Sequence, residues 1–104
     1  MLFMVIERFK NRNAKAVYAR FHEKGRMMPD GLKYLGSWTE NNFDRCFQLM
    51  ECEDASLLQE WVDNWSDLVD FEIVPVMTGV EASTAILREN NMPNTKRSEQ
   101  LTSD

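Results

Sequence analysis

Residues 32–51 read Leu32-Lys-Tyr-Leu-Gly-Ser-Trp38, then Thr39-Glu-Asn-Asn42, then Phe43-Asp-Arg-Cys-Phe-Gln-Leu-Met-Glu51. The first and last of these segments are rich in aromatic and aliphatic residues and are bounded by turn formers, which is typical of the two strands of a hairpin. Asparagine tolerates positive φ better than most residues, so the turn is predicted at Glu40-Asn41-Asn42. Each remaining segment of the chain either flanks this hairpin or covers it.

The segments before the hairpin predict a strand and a helix. Residues 2–9 are almost continuously apolar over strand length, which indicates a strand covered on both faces and hence central in its sheet. From Ala14 the apolar residues change to helical spacing, and Asn13 is a suitable N-cap. Pro29-Asp30-Gly31 is a strong stop signal, so this helix is predicted to end near residues 25–28.

The segments after the hairpin predict a helix, a strand and a second, short helix. The first of these begins around Asp54 or Ser56, where Ser56 and Gln59 have the spacing of a capping box. Residues 69–77 predict the fourth strand. Thr78 and Glu81 form another capping-box pair, and the short helix that they open is predicted to run to about residue 89.

The order of elements is β-α-β-β-α-β followed by a C-terminal helix, which predicts a ferredoxin-like α+β fold. Right-handed crossovers place both crossover helices on one face of a four-stranded antiparallel sheet with strand order 4-1-3-2. Pro75 cannot donate a hydrogen bond to a neighbouring strand, which agrees with an edge position for the fourth strand. One domain over residues 1–90 is expected, and the polar residues 91–104 are predicted to be a disordered tail.

The other face of the predicted sheet has no helix to cover it. Strands 1 and 3 nevertheless carry apolar residues on both faces, and an uncovered apolar face of this size is a liability in a monomer. A second copy of the chain would cover it. The sequence therefore predicts a homodimer in which two open sheet faces meet as a dimeric α+β barrel.

Four segments resemble a small bacterial family of unknown function: Leu2-Phe-Met-Val-Ile-Glu-Arg-Phe9, Tyr34-Leu-Gly-Ser-Trp38, Arg45-Cys-Phe-Gln-Leu-Met-Glu51 and Trp65-Ser-Asp-Leu-Val-Asp-Phe-Glu72. That family resembles the dimeric α+β barrel superfamily, and the likeness covers roughly residues 1–80. The superfamily includes cofactor-free monooxygenases, haem-degrading enzymes, isomerases, dehalogenase-like proteins and ligand-sensing domains. The resemblance implies the fold and the dimer, but no position-matched catalytic motif carries over.

The composition argues against some classes of partner and indicates the cellular compartment of the protein. The formal charge of −5 and the lack of a recognised motif argue against nucleic-acid binding. No apolar run approaches the ~18 residues that a membrane helix needs, and the apolar start lacks the features of a signal peptide. Cys46 and Cys52 on one extended strand lie about 20 Å apart, too far for a disulfide. A reduced, cytoplasmic protein is therefore expected.

The sequence contains no recognisable catalytic or metal-binding motif. One histidine and two distant cysteines do not make a structural zinc site, and no phosphate-binding loop or nucleophile elbow is present. No cofactor and no metal are therefore predicted. His22 lies beside the apolar stripe of the first helix, where a partly exposed surface histidine is the simpler interpretation than a ligand or base.

The hairpin supplies the candidate ligand-binding residues. With an even-numbered turn, Trp38 lies opposite Arg45 and shares a face with Tyr34, Phe47 and Leu49, and an arginine over an indole is a favourable pair. The other face mixes small neutral polar groups with apolar ones, as in many ligand cavities, and carries Leu35, Ser37, Cys46, Gln48 and Met50. An odd-numbered turn would reverse the pairing between the two strands. We expect the bulkier face to pack on the helices and the other face to line the barrel. The candidates for a site are Glu7, Ser37, Trp38, Arg45, Cys46, Gln48 and Met50.

Three functions fit these residues. The first is a homodimer that binds a small apolar or aromatic molecule, with Gln48 orienting it. The second is a cofactor-free oxygenase or isomerase, in which Glu7 or Glu51, if buried, has a raised pKa and serves as general acid or base. The third is a structural dimer with a filled interior and no ligand. Cys46 is more simply a small buried hydrophobe than a nucleophile, because nothing in the sequence would lower the pKa of its thiol.

Overall fold

A computed structural model describes residues 1–90 of the chain. Its elements follow the order β1 (Leu2–Phe9), α1 (Ala14–Lys24), β2 (Lys33–Thr39), β3 (Arg45–Glu51), α2 (Ser56–Asp63), β4 (Val69–Val76) and α3 (Gly79–Asn90), with a single 3-10 turn at Lys10–Arg12. This is the predicted α+β arrangement with a C-terminal helix. The predicted disordered tail, residues 91–104, lies outside the described residues.

The four strands form one open antiparallel sheet with the order β2-β3-β1-β4. β1 is central, as its continuous apolar run predicts, and it pairs with β3 on one side and β4 on the other. β4 is an edge strand, which confirms the position inferred from Pro75. The predicted strand order is therefore confirmed.

Local sequence signals explain two of the three helix starts. The Asn13 side chain accepts a hydrogen bond from the Ala16 amide at 3.2 Å, so Asn13 is the N-cap of α1. Thr78 and Glu81 exchange two backbone-to-side-chain hydrogen bonds of 3.1 and 3.0 Å, which is the predicted capping box of α3. The capping box predicted for α2 is wrong, because the carboxylate of Asp54 accepts the bond from the Ser56 amide instead.

The hydrophobic core lies between one face of the sheet and the two helices α1 and α2. Alternate residues of β1 point into it, and Val17 of α1 with Leu58 and Trp61 of α2 closes it from the other side. Val5 and Met50, at the centre of the sheet, have no exposed surface. The cysteines Cys46 and Cys52 are both buried and free.

The hairpin differs from its predicted register. Trp38 is paired with Phe47, not with Arg45, and a β-bulge at Leu35 moves Tyr34 to the face opposite Trp38. Phe43, and neither asparagine of the turn, takes positive φ (61°). Arg45 therefore lies over the Phe47 ring and forms an ion pair with Glu40 across the turn. The predicted Trp38–Arg45 pair is wrong, because Trp38 pairs with Phe47, two positions further along β3.

Candidate functional site

A partly open cavity of about 180 Å³ lies inside the domain, between the sheet and the helices. Strands β1, β2 and β3 supply its floor, and α1, α2 and the loop after α1 supply its roof. Its lining residues are Glu7, Phe9, Val17, Tyr18, Phe21, Arg26, Ser37, Thr39, Cys46, Gln48, Trp61 and Trp65. An apolar cavity of roughly 150 Å³ is enough to hold benzene, so this cavity fits a molecule with a single ring.

Glu7 and Gln48 are the two buried polar side chains of the sheet, and both line the cavity. Glu7 is 6 % exposed and Gln48 is 8 % exposed. The Gln48 amide nitrogen donates a hydrogen bond to Oε2 of Glu7. Burial raises the pKa of Glu7 to about 7, although this bond and the charge of Arg26 act in the opposite direction.

The hydrogen-bonding capacity of this pair is incomplete. Gln48 Oε1 is buried and has no hydrogen-bond partner among residues 1–90. An unpaired buried acceptor costs roughly 1–3 kcal/mol, so buried polar atoms without partners are uncommon. The unpaired oxygen is therefore an exception among the buried polar atoms of the described residues.

Arg26 reaches the cavity from the loop between α1 and β2, and α2 fixes its backbone. The indole N–H groups of Trp61 and Trp65 both donate to the Arg26 carbonyl oxygen at 2.9 Å. The Asn64 amide donates to the next carbonyl, that of Met27, also at 2.9 Å. Gly25 has φ of 69°, a conformation that suits glycine because it has no Cβ. The loop is therefore held at two carbonyl oxygens by three hydrogen bonds from α2 and the residues just after it.

The Arg26 guanidinium is stacked on aromatic rings. It lies 3.7 Å from the centroid of the Tyr34 ring and 4.9 Å from that of Phe21. Within the described part of the chain it makes no hydrogen bond or ion pair with a side chain. Stacking on rings orients a guanidinium while leaving its N–H donors free along the edge. Arg26 thus presents unused donors beside the cavity.

Neutral hydroxyl and thiol groups complete the rim on the β2 side. The hydroxyls of Tyr18 and Thr39 are 2.7 Å apart, as are those of Tyr34 and Ser37. Cys46 is buried beside them. Burial, followed by the nearby charge of Glu7, raises the pKa of its thiol, so a neutral thiol is expected at neutral pH.

Four of the seven residues proposed from the sequence come together here. Glu7, Ser37, Cys46 and Gln48 all line the cavity. Met50 is fully buried in the core and is not part of the lining. Trp38 and Arg45 lie on the opposite face of the sheet.

The expected orientation of the sheet is wrong. The face with Cys46, Gln48 and Met50 packs under the helices, and the bulkier face with Phe47 and Leu49 is the open one. The prediction assumed that the helices take the more apolar face. Instead, the cavity between helices and sheet accommodates polar groups, and the more apolar face is left without a cover.

Sequence patterns did not indicate several cavity residues. Arg26 lies in a loop, where no periodicity assigns a direction to a side chain. Tyr18 and Phe21 follow the helical spacing of the first helix, and that spacing assigns them no role beyond packing. Trp61 and Trp65 are buried, as their spacing of one helical turn suggests, but their shared hydrogen-bond acceptor depends on a contact across more than 30 residues.

The open face of the sheet is largely apolar. The strand register places eight apolar residues on it: Leu2, Met4, Ile6, Trp38, Phe47, Leu49, Val74 and Val76. The charged residues on the same face are Arg8, Lys33, Arg45, Glu51, Asp70 and Glu72. Trp38 is 59 % exposed. Within residues 1–90 no helix packs across these side chains, so this face is available to a partner.

The described part of the chain shows neither a metal-binding cluster nor a membrane-spanning helix. No group of three or more histidine, cysteine, aspartate or glutamate side chains there is arranged to hold a metal ion. Among residues 1–90, no helix combines the length and the apolar character needed to cross a membrane.

Comparison with known proteins places the chain in a family. Residues 1–90 match the family described as Domain of unknown function (DUF3303). The chain belongs to the DUF3303 family. Among solved structures, the chain is similar to protein Atu4242 from Agrobacterium tumefaciens, a structural genomics target, with 12 % identity and a TM-score of 0.45 over 76 % of this chain and 96 % of that one. No curated protein matches the sequence at a significant level.

Proposed function

We propose that this DUF3303 domain binds a small molecule with a single ring in the cavity between its sheet and its helices. The observation that carries the proposal is that the two buried polar side chains of the sheet, Glu7 and Gln48, both line a cavity of about 180 Å³. Aromatic and aliphatic side chains provide the remaining walls. A mostly apolar cavity with a few converging polar groups is the usual form of a small-molecule site.

The presence of an unfilled cavity in the interior supports the same proposal. In a structural protein without a ligand, apolar side chains normally fill the interior to high density, because every void loses contacts. Here a buried acidic side chain and a buried amide side chain are retained in the lining of a cavity. Such groups lower stability unless a ligand uses them.

Ligand-observed NMR with toluene and phenol tests the proposal. Val17→Phe adds a ring inside the cavity, whereas Ala19→Phe adds the same ring on the exposed surface of α1. We expect both probes to bind the unchanged protein and the Ala19→Phe variant, and to lose binding in Val17→Phe. Circular dichroism establishes that each variant is folded. No binding to the unchanged protein, or full binding to a folded Val17→Phe variant, would contradict the proposal.

One observation favours a second candidate, an isomerase that works without a cofactor. Glu7 has a pKa of about 7 and lines the cavity, so at neutral pH it can both accept and donate a proton. In such an enzyme Glu7 would remove a proton from one carbon of the ligand and return it at another. The test is solvent deuterium incorporation into a bound ligand, which Glu7→Gln should abolish while binding is retained.

We propose further that the domain forms a homodimer through its open sheet face. The apolar side chains of this face lie along all four strands and would be exposed in a monomer. A second copy related by a twofold axis would cover this face with its own. This proposal and the cytoplasmic location remain predictions.

A further inference from the structure

We propose that the ligand is an amino acid with a single ring, whose ammonium group pairs with Glu7 and whose carboxylate pairs with Arg26. The inference rests on the proposed function, because it names the class of molecule that the same cavity would take. It follows from the two charged side chains of the lining, which have opposite signs, have hydrogen-bonding atoms to spare and form no ion pair with each other within residues 1–90.

Glu7 presents an acceptor to the cavity. Its Oε2 accepts the hydrogen bond from the Gln48 amide, and its Oε1 makes no hydrogen bond within residues 1–90. In the described residues, Gln48 Oε1 is the unpaired side-chain atom that is closed off from solvent, and Glu7 Oε1 is not closed off in this way. Glu7 Oε1 therefore borders accessible space, where a ligand ammonium group can form a charge-assisted hydrogen bond with it.

Arg26 presents donors to the same cavity. Its guanidinium lies against the rings of Tyr34 and Phe21, and its backbone carbonyl is held by two indole hydrogen bonds. Within the described part of the chain, the guanidinium has no hydrogen bond or ion pair with a side chain. A guanidinium held in place forms two parallel hydrogen bonds with a carboxylate at a smaller loss of conformational freedom.

The separation of the two charges suits an α-amino acid. Glu7 and Arg26 form no ion pair, so a gap separates their charged atoms. The charge of Arg26 nevertheless lowers the pKa of Glu7, which indicates a separation within about 10 Å. The ammonium and carboxylate groups of an α-amino acid are about 3 Å apart, and a hydrogen bond of ~2.8 Å on each side extends this bridge to about 8 Å. Such a molecule would close the gap.

The balance of charge favours a ligand with both signs over a simple acid or a simple amine. Glu7 and Arg26 are the charged side chains among the described residues that line the cavity. An amino acid gives each of them a partner. An acid or an amine leaves one of the two charges unpaired, and an unpaired charge in a buried site is unfavourable.

The rest of the lining suits the ring of the amino acid. The aromatic side chains of Phe9, Trp61 and Trp65 supply apolar walls for a flat ring. About 180 Å³ is only slightly more than the roughly 150 Å³ that holds benzene, so a single ring fits better than a fused ring system.

Protons compete with the ligand for Glu7. The titratable side chains that share the lining with it are Cys46 from β3, Tyr18 from α1 and Arg26 from the loop, and among the described residues β2, α2 and β4 contribute none. Burial raises the pKa of Glu7 to about 7, and an ammonium group pairs with the ionised form. Binding at pH 7 should therefore release protons, and the affinity should be about tenfold lower at pH 6 than at pH 8.

Calorimetric titration with probes of matched shape tests the class. Phenylglycine carries the ring, the ammonium group and the carboxylate. Phenylacetate lacks the ammonium group, benzylamine lacks the carboxylate and toluene lacks both. Both enantiomers of phenylglycine and of phenylalanine are titrated, so that chirality and the distance to the ring are covered. We expect the best amino acid to bind at least ~10-fold more tightly than phenylacetate or benzylamine, the effect of one additional charged hydrogen bond.

Two variants separate the two charges. Arg26→Gln should weaken the binding of the amino acid and of phenylacetate by about tenfold, and should not weaken that of benzylamine. Glu7→Gln should weaken the binding of the amino acid and of benzylamine to a similar extent, should not weaken that of phenylacetate, and should abolish the proton release. Lys24→Gln and Glu23→Gln remove exposed charges of α1 outside the cavity and should change none of the affinities.

The outcomes distinguish this class from the proposed function. If toluene binds, and the amino acids bind no more tightly than phenylacetate and benzylamine, the class is wrong while the proposed function stands. Amino acid binding that neither Arg26→Gln nor Glu7→Gln weakens would also overturn the inference. If neither toluene nor any of the charged probes binds, the class and the proposed function both fail.

Discussion

Gln48 on β3 donates a side-chain hydrogen bond to Glu7 on β1, and both side chains are buried beneath the helices. Glu7 is directly opposite Cys46, so Gln48 reaches it along the diagonal of the antiparallel ladder. The pair is held by two strands of the rigid sheet and not by a loop. Its position is therefore defined by the register of β1 against β3, which also places both groups in the cavity.

The first prediction concerns the pH dependence of stability. The pKa of Glu7 is raised from 4.5 to about 7, so between these values the unfolded chain is ionised while the folded chain keeps its proton. Stability falls as pH rises through this range, and above pH 7 the loss from Glu7 reaches about 3 kcal/mol. The free energy of unfolding, measured with urea, should be lower at pH 8 than at pH 5. Glu7→Gln should reduce this difference.

The control for this measurement is Glu60→Gln, which removes an exposed carboxylate from α2, away from both sheet faces. This variant should show the same difference in the free energy of unfolding between pH 5 and pH 8 as the unchanged protein. An equal difference in the unchanged protein and in Glu7→Gln would show that Glu7 keeps an ordinary pKa in the folded state.

The second prediction concerns the bond from Gln48. This bond lowers the pKa of Glu7, so removing it should raise that pKa above 7. Gln48→Met removes the amide and retains the length of the side chain, and Met50→Leu changes a buried neighbour on the same face without touching Glu7. Titration followed by carboxyl carbon NMR should show an upward shift in Gln48→Met alone. A downward shift would mean that burial does not govern this group.

The third prediction concerns the shared acceptor of the two tryptophans. In Trp61→Phe or Trp65→Phe, the Arg26 carbonyl keeps one indole partner. In the double variant it loses both, and an unsatisfied carbonyl adds roughly 1–3 kcal/mol to the cost of the lost packing. A double-mutant cycle by urea unfolding should therefore give a loss larger than the sum of the two single losses. Simple additivity would show that water satisfies the carbonyl in the double variant.

The sequence was sufficient for the architecture because the relevant signals are local. The apolar run of β1, the cap at Asn13, the proline of β4 and the Thr78–Glu81 capping box each depend on neighbouring residues. The chain order of the elements then leaves few topologies. The strand order followed from these signals without knowledge of any side-chain contact.

The candidate site was only partly predictable because it depends on contacts between distant segments. The alternation of side chains along the hairpin correctly predicts that Ser37 shares a face with Cys46 and Gln48. The bulge at Leu35, which the alternation does not predict, moves the side chain of Tyr34 to that face as well. The choice of the covered face failed because both faces of β1 and β3 are apolar enough to be buried. Arg26 could not be assigned at all, since its position is set by hydrogen bonds from residues 61 and 65.

The last prediction concerns the open face of the sheet. Phe47 lies at its centre, paired with Ile6 and Trp38, so Phe47→Glu would bury a charge in the proposed dimer. Ile73→Glu adds the same charge on the opposite face of β4, where the side chain is exposed, and should leave the dimer intact. Sedimentation at micromolar concentration should give a dimer for the unchanged protein and Ile73→Glu, and a monomer for Phe47→Glu. A monomeric unchanged protein would refute pairing through this face.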